Sequence, residues 1–149
     1  MNAEDLMQRT IFSVGLEANL EEAARSMLVH RVNALPVLDE QGAVVGVVGI
    51  KDVLRAPAPS ARDASLTRYQ RLDDRARVLR STRVQSVMAR PPITVPPDAP
   101  AEDVAATMVN RGVHPLVVVH DGRPVGVIGR ADVVRVLLEL VDEPAATTR

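Results

Sequence analysis

Two aspartates, Asp52 and Asp132, each stand three residues after a glycine in frames that nearly match: Gly46-Val47-Val48-Gly49-Ile50-Lys51-Asp52 and Gly126-Val127-Ile128-Gly129-Arg130-Ala131-Asp132. The apolar run entering each frame reads as a strand and the residues after it as a helix start, with the Asp near the third helical position. A helix N-terminus offers free N–H groups and the positive end of its dipole, a place for an anion. A carboxylate one turn in can accept two hydrogen bonds from a vicinal diol. The same carboxylate can instead do no more than cap its helix, and the frame by itself leaves both readings open. Lys51 and Arg130 lie in the same turns and can supply charge for a phosphate. With no side chain at Gly49 or Gly129 to cap them, the first helical N–H groups stay open to it.

Other chemistry has less support. The 149 residues include no cysteine, which excludes disulfides, a thiolate nucleophile and zinc–thiolate sites. Ser13, Thr94 and the histidines fall in no nucleophile–base–orienter order, and no Gly-rich phosphate loop is present, so no enzyme is expected. His114 and His120 flank one strand six residues apart, about 20 Å at strand rise, and His30 ends a helix; no metal site is expected. Phe12 and Tyr69 are the aromatic residues, too few for stacking nucleic-acid bases. The near-neutral charge is uneven: residues 60–90 hold eight Arg against three Asp, about +5. This segment reads first as a solvated helix face, then as a docking surface, and last as a nucleic-acid binder. An acidic N-terminus without an apolar stretch, and no run of about 18 apolar residues, point to a soluble cytoplasmic protein of bacterial type with no membrane partner.

The frames sit in a longer repeat. Met27 answers Met108 and Val32 answers Val113 at an offset of 81, which becomes 80 at the aspartates. Each copy reads β-α-β-β-α. A short extended piece (11–14 or 93–95) precedes a helix with an apolar stripe at Leu20, Ala23, Ala24, Met27 and Leu28, or Val104, Ala105, Met108 and Val109. Asn19 and Glu22 form a capping box for the first helix; Pro100 falls in the first turn of the second, after Asp98. Two apolar runs then flank a turn at Gly42 or Asp121-Gly122, and a closing helix carries Val133, Val134, Leu137, Leu138 and Val141. Pro36 and Pro115 read as strand-start or edge devices. The organisation is repeat one at 6–55, an Arg-rich, part-helical linker at 56–83 with a stripe at Leu66, Tyr69, Leu72, Ala76 and Leu79, repeat two at 84–141, and a flexible tail at 142–149. One copy cannot cover both faces of its sheet, so the two are expected to pack with pseudo-twofold symmetry.

The helix Leu20–Met27 (LEEAARSM), the strand Leu35–Asp39 (LPVLD) and the glycine–aspartate frame, in order and twice, resemble the CBS domain pair over about two-thirds of the chain. The resemblance implies an α/β (α+β) fold and a non-catalytic sensor without a cofactor. Its regulatory ligand would contain adenosine, as AMP, ADP, ATP or S-adenosylmethionine do, and would lie in the clefts between the repeats. It makes Asp52 and Asp132 the ribose residues. It sets adenine against Phe12, Ser13, Val14 and Leu35 in one site, and against Ile93, Thr94, Val95 and Leu116 in the other, with His114 at its border. It also implies a homodimer through the stripe-bearing helices and a regulated protein still to be identified. The family's Ser/Thr position is Gly49 here and Gly129 in the second copy. Losing a hydroxyl bonded to phosphate costs about 1.5–3 kcal/mol per site. That departure favours the other reading, a ligand-free dimerisation or interaction module with vestigial clefts.

Overall fold

The computed structural model describes residues 1–56, 68–113 and 115–143. In chain order the elements are α1 (Ala3–Leu6), β1 (Val14–Gly15), α2 (Leu20–His30), β2 (Ala34–Leu38), β3 (Val44–Gly49), α3 (Ile50–Arg55), α4 (Arg68–Ser81), β4 (Thr94–Val95), α5 (Ala101–Arg111), β5 (Leu116–His120), β6 (Arg123–Ile128) and α6 (Arg130–Asp142), with a 3₁₀ turn at Val84–Ser86 before β4. They form two units, Phe12–Pro92, and Met1–Ile11 joined to the chain from Ile93 onward. Each unit holds one three-stranded sheet, β1-β2-β3 or β4-β5-β6, and the repeated β-α-β-β-α order is that of a mixed α+β fold.

In the Phe12–Pro92 unit, Asn19 caps α2 by accepting the Glu22 N–H at 2.9 Å. Half of the expected capping box is made. Leu20, Ala23 and Met27 then fall on one side of the helix and are buried, while Leu28, one position on, is 73% exposed. β2 is central, parallel to β1 and antiparallel to β3. Its residues Ala34–Val37 are all buried, as suits an unbroken apolar run covered on both faces. Pro36 thus lies inside a central strand rather than at a start or edge. It sits beyond the level at which β1 pairs, Val14 opposite Val37, so the missing N–H interrupts no β1 bond. From the linker helix α4, Val78 and Leu79 pack on this core, while Arg80 reaches Glu21 at 3.5 Å and Arg83 pairs with Glu17. Leu66 and Arg62 lie outside the described residues, as do the side chains of Arg68, Tyr69, Arg71 and Leu72.

The other unit repeats the plan with different ends. Pro100 is the N-cap of α5 rather than a first-turn residue, and no side chain caps that helix. Asp121 and Gly122, at φ 51° and 78°, make the tight turn between β5 and β6 that Asp-Gly favours. Pro115 immediately precedes β5, as a strand-start proline should. On α6 the apolar stripe divides. Val133 and Val136 pack on the core, but Val134, Leu137, Leu138 and Val141 are 54–77% exposed.

Each sheet takes its last covering residue from the segment that opens the other repeat. Ala3 and Leu6 of α1 are buried with Val104, Leu116 and Ile128, and Gln8 pairs with Val127. Val84 and Met88 are buried with Leu20, Leu35 and Val48, and Ala89 pairs with Val47. The folded units are therefore cut differently from the sequence repeat, since residues 84–92 close the first sheet and residues 1–11 the second. A glycine makes each closure possible. A Cβ on Gly126 would stand 2.6 Å from Met7 Cγ and 2.9 Å from Met7 Cβ, and one on Gly46 would stand 2.8 Å from Met88 Cγ.

Gly126→Ala is expected to lower stability by about 1–3 kcal/mol through overpacking, seen as a lower urea midpoint. Adding Met7→Ala should recover part of the loss. An unchanged midpoint for Gly126→Ala contradicts the docking of Met7 on β6.

Candidate functional site

β3 runs directly into α3, and β6 into α6. In each case the last strand residue, Gly49 or Gly129, is the helix N-cap, in extended backbone with no side-chain cap of its own. The aspartate at the third helical position reaches back. Asp52 Oδ2 accepts the Gly49 N–H at 2.7 Å, and Asp132 Oδ2 accepts the Gly129 N–H at 2.8 Å. This is half of a capping box, because glycine has no side chain to return the bond. The carboxylates therefore do cap their helices, and capping commits only one oxygen of each.

The second oxygens differ. Asp132 is 6% exposed, and its Oδ1 accepts from Gln8 Nε2 at 2.8 Å and from Arg135 Nη1 at 2.9 Å. Asp52 is half-buried, and among the described residues nothing donates to its Oδ1. Gln8 was not among the candidates of either frame. Burial acts to raise the Asp132 pKa, but the bonds from Gln8, Gly129 and Arg135, with the Arg135 charge, outweigh it and hold the carboxyl below its ordinary value.

The sheet register places the other candidates near these turns. Gly49 pairs with Ala34, and β1 runs parallel to β2, so the chain entering β1 meets the same end of the sheet. Ser13 and Lys51 are exposed there and Val14 is half-buried. Phe12 stacks on His30, with ring centroids 3.7 Å apart. In the other unit Thr94 and Arg130 are exposed, while Val95 is buried. Leu35 and Leu116 are fully buried in their respective cores, which occupy their side chains. His114 lies outside the described residues. Both N-cap glycines have room for a side chain. A Cβ on Gly49 comes no closer than 3.4 Å to its surroundings, and one on Gly129 no closer than 3.5 Å.

An open depression of about 720 Å³ lies at the opposite end of the first sheet, beside Gly15 and Leu38. Glu17, Glu22, Asp39 and Glu40 line it, so it repels a phosphate and is not the place for a nucleotide. Among the described residues no group of three or more His, Asp or Glu is placed to hold a metal ion, and no helix is long and apolar enough to cross a membrane.

The depressed Asp132 pKa has a sign. Its contribution to stability is complete above the ordinary carboxylate pKa and is lost as pH falls through the lowered one. The unfolding free energy of the wild type is therefore expected to fall more steeply than that of Asp132→Asn below about pH 4. Parallel acid unfolding curves for the two proteins contradict the bonding at Asp132.

Comparison with known proteins identifies the family. Residues 3–59 and 84–139 match the CBS domain. A CBS domain-containing protein of Dictyostelium discoideum is 26% identical over 141 residues, 93% of this chain and 92% of its own. The CBS domain of a CBS domain-containing membrane protein of Sphaerobacter thermophilus superimposes with a TM-score of 0.75 at 27% identity, covering 90% of this chain and 86% of that one. The CBS-pair protein CBSX2 of Arabidopsis thaliana, solved in complex with AMP, superimposes with a TM-score of 0.75 at 25% identity, over 93% of this chain and 97% of the other. With both repeats matched and both glycine–aspartate turns built alike, this chain belongs to the CBS domain family.

Proposed function

We propose that this chain is a non-catalytic regulatory module that binds an adenosine-containing ligand, AMP in the first instance, through Asp52 in the first repeat and Asp132 in the second. The observation that carries the reading is the repeated turn in which the N-cap N–H holds one carboxylate oxygen. In the first repeat the other oxygen is left, among the described residues, to accept from a ribose diol; in the second, Gln8 and Arg135 donate to it. AMP is named because CBSX2, at 25% identity, is solved with AMP. Exposed Ser13 and Thr94 lie just before or within the first strand of each sheet, and exposed Lys51 and Arg130 at the helix starts favour a phosphate. S-adenosylmethionine and the longer adenine nucleotides share the same diol and belong to the same ligand class. Ligand binding stabilises the folded state by mass action and shifts the population of conformations offered to a regulated protein.

The same reading places the protein in the cytoplasm as a homodimer. The apolar residues that support a dimer are Leu28 and Val29 on α2, Val109 on α5, and Leu137, Leu138 and Val141 on α6, all at least half exposed. The core-facing part of each stripe is not available for it. These same surfaces, with Gly49 and Gly129 in place of a hydroxyl residue, favour the second reading, a dimerisation module that holds no ligand.

Thermal unfolding across an AMP titration separates the two. The sensor is stabilised by about 2.7 kcal/mol at a hundredfold excess over Kd, while GMP leaves the transition in place, and Asp52→Ala loses most of the AMP response. A transition that no adenine ligand moves supports the ligand-free module.

A further inference from the structure

The two aspartates differ in availability because of a residue outside both frames. Gln8 follows α1 and pairs through its backbone with Val127, at 2.8 Å and 3.0 Å for the two N–H···O bonds. From there its side-chain amide donates to Asp132 Oδ1. The corresponding position beside the other sheet is Ala89, paired with Val47 in the same way at 3.1 Å and 2.9 Å. A methyl group has nothing to donate, and Asp52 Oδ1 is left without a partner among the described residues. The backbone arrangement is thus common to both repeats; what separates them is the Gln8 amide, beside Arg135, which donates to the same Asp132 oxygen.

We infer that Gln8 is an internal stand-in for the ligand at the second repeat, so that the chain takes an adenosine-containing ligand at Asp52 before it takes one at Asp132. This rests on the adenosine reading above. A side-chain N–H offers the carboxylate what a ribose hydroxyl offers, a hydrogen bond to the oxygen that the N-cap leaves over. A ligand must displace that bond, and displacing a bond to a charged group weakens its own binding by about ten-fold or more. Gln8 is exposed, and its backbone pair with Val127 does not involve the amide. The side chain can therefore swing into water while the segment stays docked. Arg135 remains beside Asp132 in either state, because it donates from the same helix.

The test is calorimetric titration of AMP into the full chain as wild type, Gln8→Ala and Ala89→Gln. The wild type should fill one site well before the second. Gln8→Ala should tighten the second site by about ten-fold or more, bringing the stoichiometry towards two. Ala89→Gln, which carries the amide to the other sheet, should weaken the first site by a similar factor. If the wild type binds AMP and Gln8→Ala titrates identically, the stand-in is refuted and the sensor reading survives. If none of the three proteins binds AMP, the sensor reading fails and the stand-in fails with it.

Discussion

The hydrogen bond from an N-cap glycine N–H to the aspartate three residues on is the constraint that organises each repeat. It ends the strand, starts the helix and fixes the carboxylate in the corner between them. The bond exists because the first N–H groups of a helix have no partner of their own, and because a negative charge in the first turn is favoured by the helix dipole. At 2.7 Å and 2.8 Å the two copies agree. Capping and ligand recognition are compatible, since the cap takes one oxygen and a diol needs an acceptor that the other can provide.

What differs between the copies is what each sheet borrows. The segments that open the two repeats are short, and each buries its apolar residues in the core of the other repeat's sheet. By docking Met7 on Gly126 and Met88 on Gly46, the chain closes both sheets with equivalent pieces. This arrangement brings position 8 to one aspartate, while position 89 occupies the equivalent place beside the other sheet. A Gln at one and an Ala at the other turn a structural duplication into two unequal corners. The buried, triply bonded Asp132 is electrostatically satisfied at rest; Asp52 keeps one oxygen with no donor among the described residues.

The repeat, the hairpins and the core methionines were legible in the sequence because apolar periodicity and turn residues carry them. Asp121-Gly122 asks for a two-residue turn, and Met27 falls in step with Leu20 and Ala23. The N-cap glycines and third-position aspartates were legible as a pattern, though not as a hydrogen bond. Several features escaped for definable reasons. On α6 apolar residues occupy more than one face, so periodicity could not say that Val133 and Val136 face inward while Leu137 and Leu138 face out. Arg31 ends α2 at a φ of 56°, the left-handed position that Gly112 fills in α5; only the glycine is a signal. The placement of Pro36 in a central strand depends on how far β1 extends, which is a matter of tertiary pairing. Gln8 acts on Asp132 across 124 positions of sequence, and a single polar residue leaves no period to read.

The most direct measurement is the backbone amide spectrum of Gly49 and Gly129 during an AMP titration, because each amide is bonded to the carboxylate in question. The account predicts that the Gly49 resonance moves first and saturates at concentrations where Gly129 has hardly changed. Two amides that move together, a Gly129 amide that moves first, or two that never move would contradict it.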